Sequence, residues 1–324
     1  MDMALRLRSV VSNFLIKYRD IKISSGIKAA SIDRYVNYID DFYFENEIKE
    51  IIYTKDMHSL WLKQRNDLEG SYVRYTRTNY LIEFLSFIKS LNYDVYIPRR
   101  IPYKGSNFVA YIFSDEQLSK YFEYVDSFFS HKDPMVALYV PIVFRILIGC
   151  GTRIGETLAL RVEDVDIANG IIYLKETKNS KFRAVPVSDG LLKVIKQYCD
   201  KCLYLKTNKD FFFSHKDGRK VKEQSIYLIH RKALDYANIP YIGSTKGPRL
   251  HDLRHTFAVN SLKSFEERGC DLNNVLPILK QYLGHTNISA TEKYLQLISE
   301  NYIDVLSKTE KTESFIMGGD ENEY

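Results

Sequence analysis

The last third of the chain concentrates side chains suited to a phosphate under attack. HDLRHTFA supplies His251 and Arg254, LGHTNISATEKY supplies His285 and Tyr294, and upstream GCGTRIGET supplies Arg153. A guanidinium forks onto two phosphate oxygens at once. An imidazole moves a proton or donates a hydrogen bond near neutral pH. A tyrosine hydroxyl can act as the nucleophile and carry a phosphoryl group covalently. His251 and Arg254 stand three positions apart on an expected helix and so share a face. Arg153 is expected to open a different helix, where unpaired N–H groups and the positive dipole end favour an anion. Glu156, one turn later, can hold the Arg153 guanidinium; an exposed helix carboxylate is the plainer alternative.

Between these boxes, IIYLKE and KFRAVPV read as two short strands joined by TKNS. This hairpin carries Lys178 and Lys181 and continues to Arg183. A lysine at such a tip can enter a groove. Dehydration and neighbouring cations would lower its pKa from about 10.4 and make it a proton donor. Ser289 and Glu292 form a capping box that places Tyr294 in the second turn of a helix and fixes where its hydroxyl points. A phenol has a pKa of about 10, so roughly one in a thousand is ionised at neutral pH. The surrounding cations are expected to favour the phenolate. Phosphodiester cleavage demands removal of on the order of 15–20 kcal/mol of barrier, and fixed cations in a dry site are the expected source.

The same letters allow a zinc reading. His251 and His255 stand at i and i+4, as in HExxH, and His285 could be a third ligand. Asp252 replaces the glutamate, and Arg254 lies between the two histidines. A cationic field repels a divalent ion and attracts a phosphate, so no metal and no other cofactor is expected. Cys199 and Cys202 make one CxxC pair, which without a second pair reads as two neighbours on a helix face in a reducing compartment.

Several elements must position these groups. The expected class is mainly α with a small β-sheet, in two domains, as a chain of 324 residues suggests. Residues 1–97 show apolar residues at helical spacing and read as a helical bundle. Its Arg74 and Arg77 could face phosphates, or simply lie on a solvated face. Residues 98–112 form a basic, proline-containing linker whose Arg99, Arg100 and Lys104 could lie along DNA. The second domain spans 113–310. It opens with a Ser114–Gln117 capping box and contains an apolar helix, PMVALYVPIVFRILIGCG, that Pro141 is expected to kink or break. Residues 311–324 read as a disordered acidic tail. A net charge of +5 is compatible with a nucleic-acid partner. No apolar run approaches the roughly 20 residues of a membrane span, and the amphipathic N-terminus is too polar for an export signal. A cytoplasmic protein without a membrane partner is therefore expected.

The region from about Phe113 to Leu306 resembles the catalytic domain of the tyrosine recombinases, the family of phage integrases and Xer-type resolvases. GCGTRIGETLALRVEDVD resembles its first arginine box, TKNSKFRAVPV its lysine hairpin, HDLRHTFA its His-x-x-Arg box and LGHTNISATEKY its His…Tyr box. By matching positions, the resemblance implies Arg153, Lys178, His251, Arg254 and His285 as the active-site set, Tyr294 as nucleophile and Glu156 as the acidic neighbour of the first arginine. It implies a 3′-phosphotyrosyl intermediate, with Lys178 protonating the departing 5′ oxygen. It also implies a helical N-terminal core-binding domain, a clamp around duplex DNA and a homotetrameric synapse with exchanged C-terminal helices, SENYIDVLSK being the candidate segment. Integration of a mobile element and dimer resolution share this machinery; the N-terminal half departs from the housekeeping pattern, so a mobile element is expected, with Xer-type chromosome or plasmid dimer resolution as the alternative. A type IB topoisomerase and a DNA-binding protein without catalysis are the alternatives.

Overall fold

A computed structural model of the chain describes residues 5–64, 70–100, 110–175, 182–202, 206–241, 247–284 and 294–295. The chain divides into two compact units, Met1–Asn107 and Phe108–Tyr324.

The first unit is built from α1 (Ser12–Ser24), α2 (Ala29–Glu45), α3 (Lys55–Lys63) and α4 (Ser71–Ser90). Periodicity alone would begin α1 near Leu5, yet the helix starts at Ser12. The buried carboxylate of Asp40 is the cause. It accepts from Arg8 N at 2.7 Å, Ser9 Oγ at 2.6 Å and Ser12 Oγ at 3.0 Å, which holds the preceding residues away from helical geometry. Val11, Leu15, Val36, Phe42, Leu81 and Leu85 fill the core.

Trp61, the only tryptophan of the chain, lies at the edge of that core and donates from Nε1 to Thr78 Oγ1 at 3.2 Å. Above it sits Arg77, whose guanidinium is 4.4 Å from the ring centroid and donates to the Trp61 and Gln64 carbonyls at 3.0 and 2.8 Å. Arg77 is buried. The expectation that it faces phosphates is corrected: its charge is committed to the α3–α4 junction. Helical spacing shows which face a residue shares but not how deep that face lies. Arg74 is half-buried, with Nε enclosed and lacking a hydrogen-bond partner. Arg99 and Arg100 are exposed, and Arg100 stands 3.4 Å from Glu83. Lys104 lies outside the described residues.

The second unit contains α5 (Asp115–Ser127), α6 (Met135–Cys150), α7 (Ile154–Ala159), α8 (Asp189–Cys202), α9 (Glu223–Tyr236), α10 (Asp252–Glu267) and α11 (Leu272–Leu283). A small antiparallel sheet has the order β1 (Val165–Asp166), β2 (Ile171–Leu174), β3 (Arg183–Pro186). The capping box at Ser114 and Gln117 is formed. The central helix α6 passes unbroken through Pro141. A helix-interior proline costs about 3 kcal/mol, but Val140, Ile142, Val143, Phe144, Ile146 and Leu147 are all buried. At about 1.5–3 kcal/mol per buried side chain, that packing outweighs the loss. The strands pair with Leu174 opposite Arg183, as the hairpin reading requires, while residues 176–181 of its tip lie outside the described residues. The two-residue strand β1 is too short for an alternating pattern to announce it. Cys199 and Cys202 lie on α8, and burial pushes both thiols up in pKa, the Cys199 thiol to about 11. Both are free. The acidic tail and the SENYIDVLSK segment lie outside the described residues. Among those described, no helix is long and apolar enough to cross a membrane.

Trp61 makes the first unit optically distinct. Arg77→Ala should leave two buried carbonyls without their charged donor, at a cost of about 3 kcal/mol. The measurement is urea unfolding followed by tryptophan fluorescence. A midpoint unchanged from wild type would show that Arg77 does not hold the junction.

Candidate active site

Each functional arginine is placed by the end of a helix. Helix α6 terminates at Gly151 in the left-handed conformation, with φ of 58°. A Cβ there would lie 2.4 Å from Phe257 Cδ1 on α10, so only glycine permits this close packing. The chain then turns through Thr152 to Arg153, which caps α7. Helix α11 terminates in the same manner at Gly284, with φ of 67°, and a Cβ there would lie 2.8 Å from Arg183 Nη1.

The carbonyls at these two ends receive the arginines. Arg254, on the first turn of α10, donates from Nη1 to Gly151 O at 2.7 Å and from Nη2 to Leu283 O at 2.5 Å. Arg153 Nη2 donates to Gly284 O at 3.3 Å. Helix C-termini carry partial negative charge and so stabilise cations. Arg254 is only 1% exposed, and its Nε is enclosed without a hydrogen-bond partner. Among the described residues no carboxylate forms an ion pair with it. Burial, then repulsion by Arg153, pulls its pKa down to about 9, which still leaves it charged at neutral pH.

Behind Arg153 stands a carboxylate held by two arginines. Glu156 Oε1 accepts from Arg153 Nη1 at 2.7 Å, and Glu156 Oε2 accepts from the Arg153 backbone N–H at 3.0 Å. Arg183, from β3, donates to the same carboxylate at 3.2 and 2.7 Å. Glu156 and Arg183 are almost fully enclosed, with side chains 3% and 9% exposed. Arg183 was expected among the DNA contacts, and the structure corrects this: it is turned inward, locking Glu156 and through it Arg153. Burial alone would raise the Glu156 pKa. The hydrogen bonds and charge of Arg183, with those of Arg153, outweigh it and bring the pKa below the ordinary value. Helix α7 spans only six residues, too short for a strong dipole, so attraction for an anion resides in the guanidinium groups rather than in that helix end.

His251 is the N-cap of α10 and is exposed on its solvent side. Crowding by the protein, then His255, Arg254, Arg153 and Arg249, pulls its pKa well below the ordinary histidine value. Tyr294 is 2% exposed. Burial raises its pKa, and Arg254 and Arg153 lower it without cancelling that rise. The two arginines favour the phenolate, as expected, but dehydration of the hydroxyl outweighs them, and the resting group is the phenol.

The structure brings together Arg153, Glu156, His251, Arg254 and Tyr294. Lys178, Lys181, His285 and the Ser289–Glu292 cap lie outside the described residues. It adds His255, which sequence reasoning treated only as a zinc candidate. Its Nδ1 lies 3.0 Å from the Tyr294 hydroxyl. Its i+4 spacing from His251 places the two rings together, with centroids 4.8 Å apart. Among the described residues no three His, Cys, Asp or Glu side chains converge as a metal site.

Residues 115–300 match the family model described as the phage integrase family. A putative integrase/recombinase, y4rB, of Sinorhizobium fredii is 30% identical over 157 residues, covering 47% of this chain and 50% of that protein. Tyrosine recombinase XerA of Pyrococcus horikoshii is 30% identical over 184 residues, covering 55% of this chain and 57% of its own. The chain thus spans about half the length of the curated relatives it matches. In overall fold it is similar to the XerH site-specific recombinase bound to its difH substrate, with a TM-score of 0.64 and 19% identity over 87% of this chain and 81% of that one.

The buried carboxylate generates a pH signature. Glu156→Gln should destabilise the second unit at neutral pH by about 3 kcal/mol, because the buried Arg183 and the partly open Arg153 lose their counter-charge. The folded pKa lies below the ordinary value of 4.5, so the stabilisation is complete above that value and is lost as pH falls through the lowered folded pKa. Thermal unfolding at a series of pH values should show the two proteins converging below pH 4.5. Parallel curves throughout would contradict the assignment.

Proposed function

Because the chain belongs to the phage integrase family, we propose that it is a site-specific DNA recombinase that cleaves and rejoins strands through a 3′-phosphotyrosyl intermediate. One observation carries this reading: a fully buried Arg254, with no carboxylate in ion pair among the described residues, stands beside Arg153 and the Tyr294 hydroxyl. A buried Arg254 guanidinium held by carbonyls, with no acid in ion pair with it among the described residues, is complementary to a phosphodiester, and most so to the extra negative charge of its pentacovalent transition state.

In this reading Tyr294 Oη attacks the scissile phosphorus while Arg153 and Arg254 fork onto its non-bridging oxygens. Glu156 and Arg183 keep the Arg153 fork in register. His251, open to solvent, hydrogen-bonds the phosphate or moves a proton beside it. By their places in the family pattern, Lys178 protonates the departing 5′ oxygen and His285 joins the arginines on the phosphate. A 5′-hydroxyl from a partner strand then displaces the tyrosine. Bond energy stored in the phosphotyrosine removes any need for a nucleotide or metal cofactor. We assign the first unit to core binding of the duplex, and propose a homotetrameric synapse with exchange of the C-terminal segment. Four free cysteines support action in a reducing, cytoplasmic compartment. Of the two biological roles that share this machinery, the reading favours a mobile element, with dimer resolution as the alternative.

A library of nicked duplexes with random flanking sequence should yield a covalent adduct that survives denaturation, and Tyr294→Phe should yield none. Arg254→Ala should slow adduct formation about 10²–10³-fold. Duplex retention without any adduct would favour a DNA-binding protein without catalysis, and relaxation of any supercoiled plasmid would favour a topoisomerase. Affinity for the captured duplex should fall with salt, with a slope of about −0.9 per phosphate contact; a slope near zero would remove the proposed clamp.

A further inference from the structure

The strand-transfer reading leaves one chemical need unassigned. Tyr294 must shed a proton as it attacks, from a hydroxyl whose burial holds that proton more tightly than water would. A group that takes it must lie within hydrogen-bond reach of the oxygen. His255 meets this condition: Nδ1 is 3.0 Å from Tyr294 Oη, and the rings are tilted with centroids 5.6 Å apart. The imidazole is largely enclosed, its side chain 17% exposed, and its Nε2 faces Asp252 Oδ1 at 3.9 Å. Asp252 is itself fully buried and is tied by the Arg249 backbone N–H at 2.6 Å. With the proton on Nε2 toward Asp252, the Nδ1 lone pair is directed at the phenol. The two histidines of HDLRH then divide the work. His251 stands at the open mouth, and His255, one turn deeper, stands against the nucleophile.

We propose that His255 is a catalytic residue, the base that removes the Tyr294 hydroxyl proton and the acid that later returns it. The inference rests on the proposed strand-transfer function. In the cleavage step the Tyr294 O–P bond forms, the P–O5′ bond breaks with its electron pair leaving on the 5′ oxygen, and the phenol proton passes to His255 Nδ1. The 5′ oxygen takes its own proton from Lys178. The imidazolium so formed faces the Asp252 carboxylate. In the joining step the incoming 5′-hydroxyl gives its proton to Lys178 as its oxygen bonds to phosphorus, the tyrosyl O–P bond breaks with its electron pair leaving on the tyrosine oxygen, and His255 hands its proton back to the phenolate. No proton is gained or lost over the cycle. The titratable and charged groups around the pair are His251, Asp252 and Arg254 on α10, Arg249 just before it and Arg153 from the α6–α7 turn.

The test uses the full chain and the nicked duplex that wild-type protein captures from the random library. Single-turnover adduct formation is followed across pH. His255→Ala should be slowed about 10²–10⁴-fold, the usual contribution of a positioned base, and its rate should climb about tenfold per pH unit as hydroxide takes over the proton. Fluorinated tyrosine at position 294, a more acidic phenol, should restore much of that loss while changing wild type little. His255→Gln, which keeps a hydrogen bond but cannot carry the proton, should remain slow, and it guards against a folding defect in the alanine variant. Wild-type rates in His255→Gln, or a pH profile of His255→Ala parallel to wild type and unmoved by fluorination, would overturn the inference while leaving the recombinase reading intact. Failure of wild type to capture any duplex would overturn both.

Discussion

A cation buried without a carboxylate must be held by something, and Arg254 is held by the ends of two helices. The carbonyls of Gly151 and Leu283 accept its two terminal nitrogens. Each helix end offers a fraction of an elementary charge, enough to retain a guanidinium but not to neutralise it. The rest of the second unit follows from that requirement. Helix α6 must stop where it does, in a conformation glycine tolerates, so that α10 can pass against it at Phe257. Helix α11 must stop at Gly284, so that Arg153 and Arg183 can close in from the other side. The unbroken run of α6 through Pro141 then reads as a consequence of this geometry: it is the beam on which the first arginine box is hung.

Much of this was legible in the letters. The four motif boxes announced the arginines, the hairpin and the tyrosine, and the GCG and LGH glycines mark the two helix ends. Mainly helical architecture with one small sheet followed from periodicity. Depth was not legible. Arg77 and Arg183 carry the same letter as Arg99, yet the first two are interior struts and the third meets water. An arginine has a long apolar stem and a charged tip, so periodicity cannot decide whether the tip reaches solvent. His255 was hidden for a related reason. A histidine four residues from another on a helix has several ordinary uses, and only the return of the chain at Tyr294 selects one.

The two arginines on Glu156 show how a recognition residue is separated from its support. Arg153 is partly open and Arg183 is not. One presents its fork to the site, and the other fixes the acid that aims it. Because β3 supplies Arg183 and β2 runs into the lysine hairpin, the same sheet ties the aim of the first arginine to the base of the hairpin.

Carbonyl groups do not titrate in water. The contacts that hold Arg254 are therefore indifferent to acidity, whereas a carboxylate partner would have made the binding charge a variable of the medium. Among the described residues, Glu156 is the acid paired with Arg153 and Arg183, and protonating it would add to the positive charge. The hold on Arg254 is in this sense separated from proton chemistry: it is a constant of the architecture, and what varies with pH is left to Glu156, the histidines and the phenol.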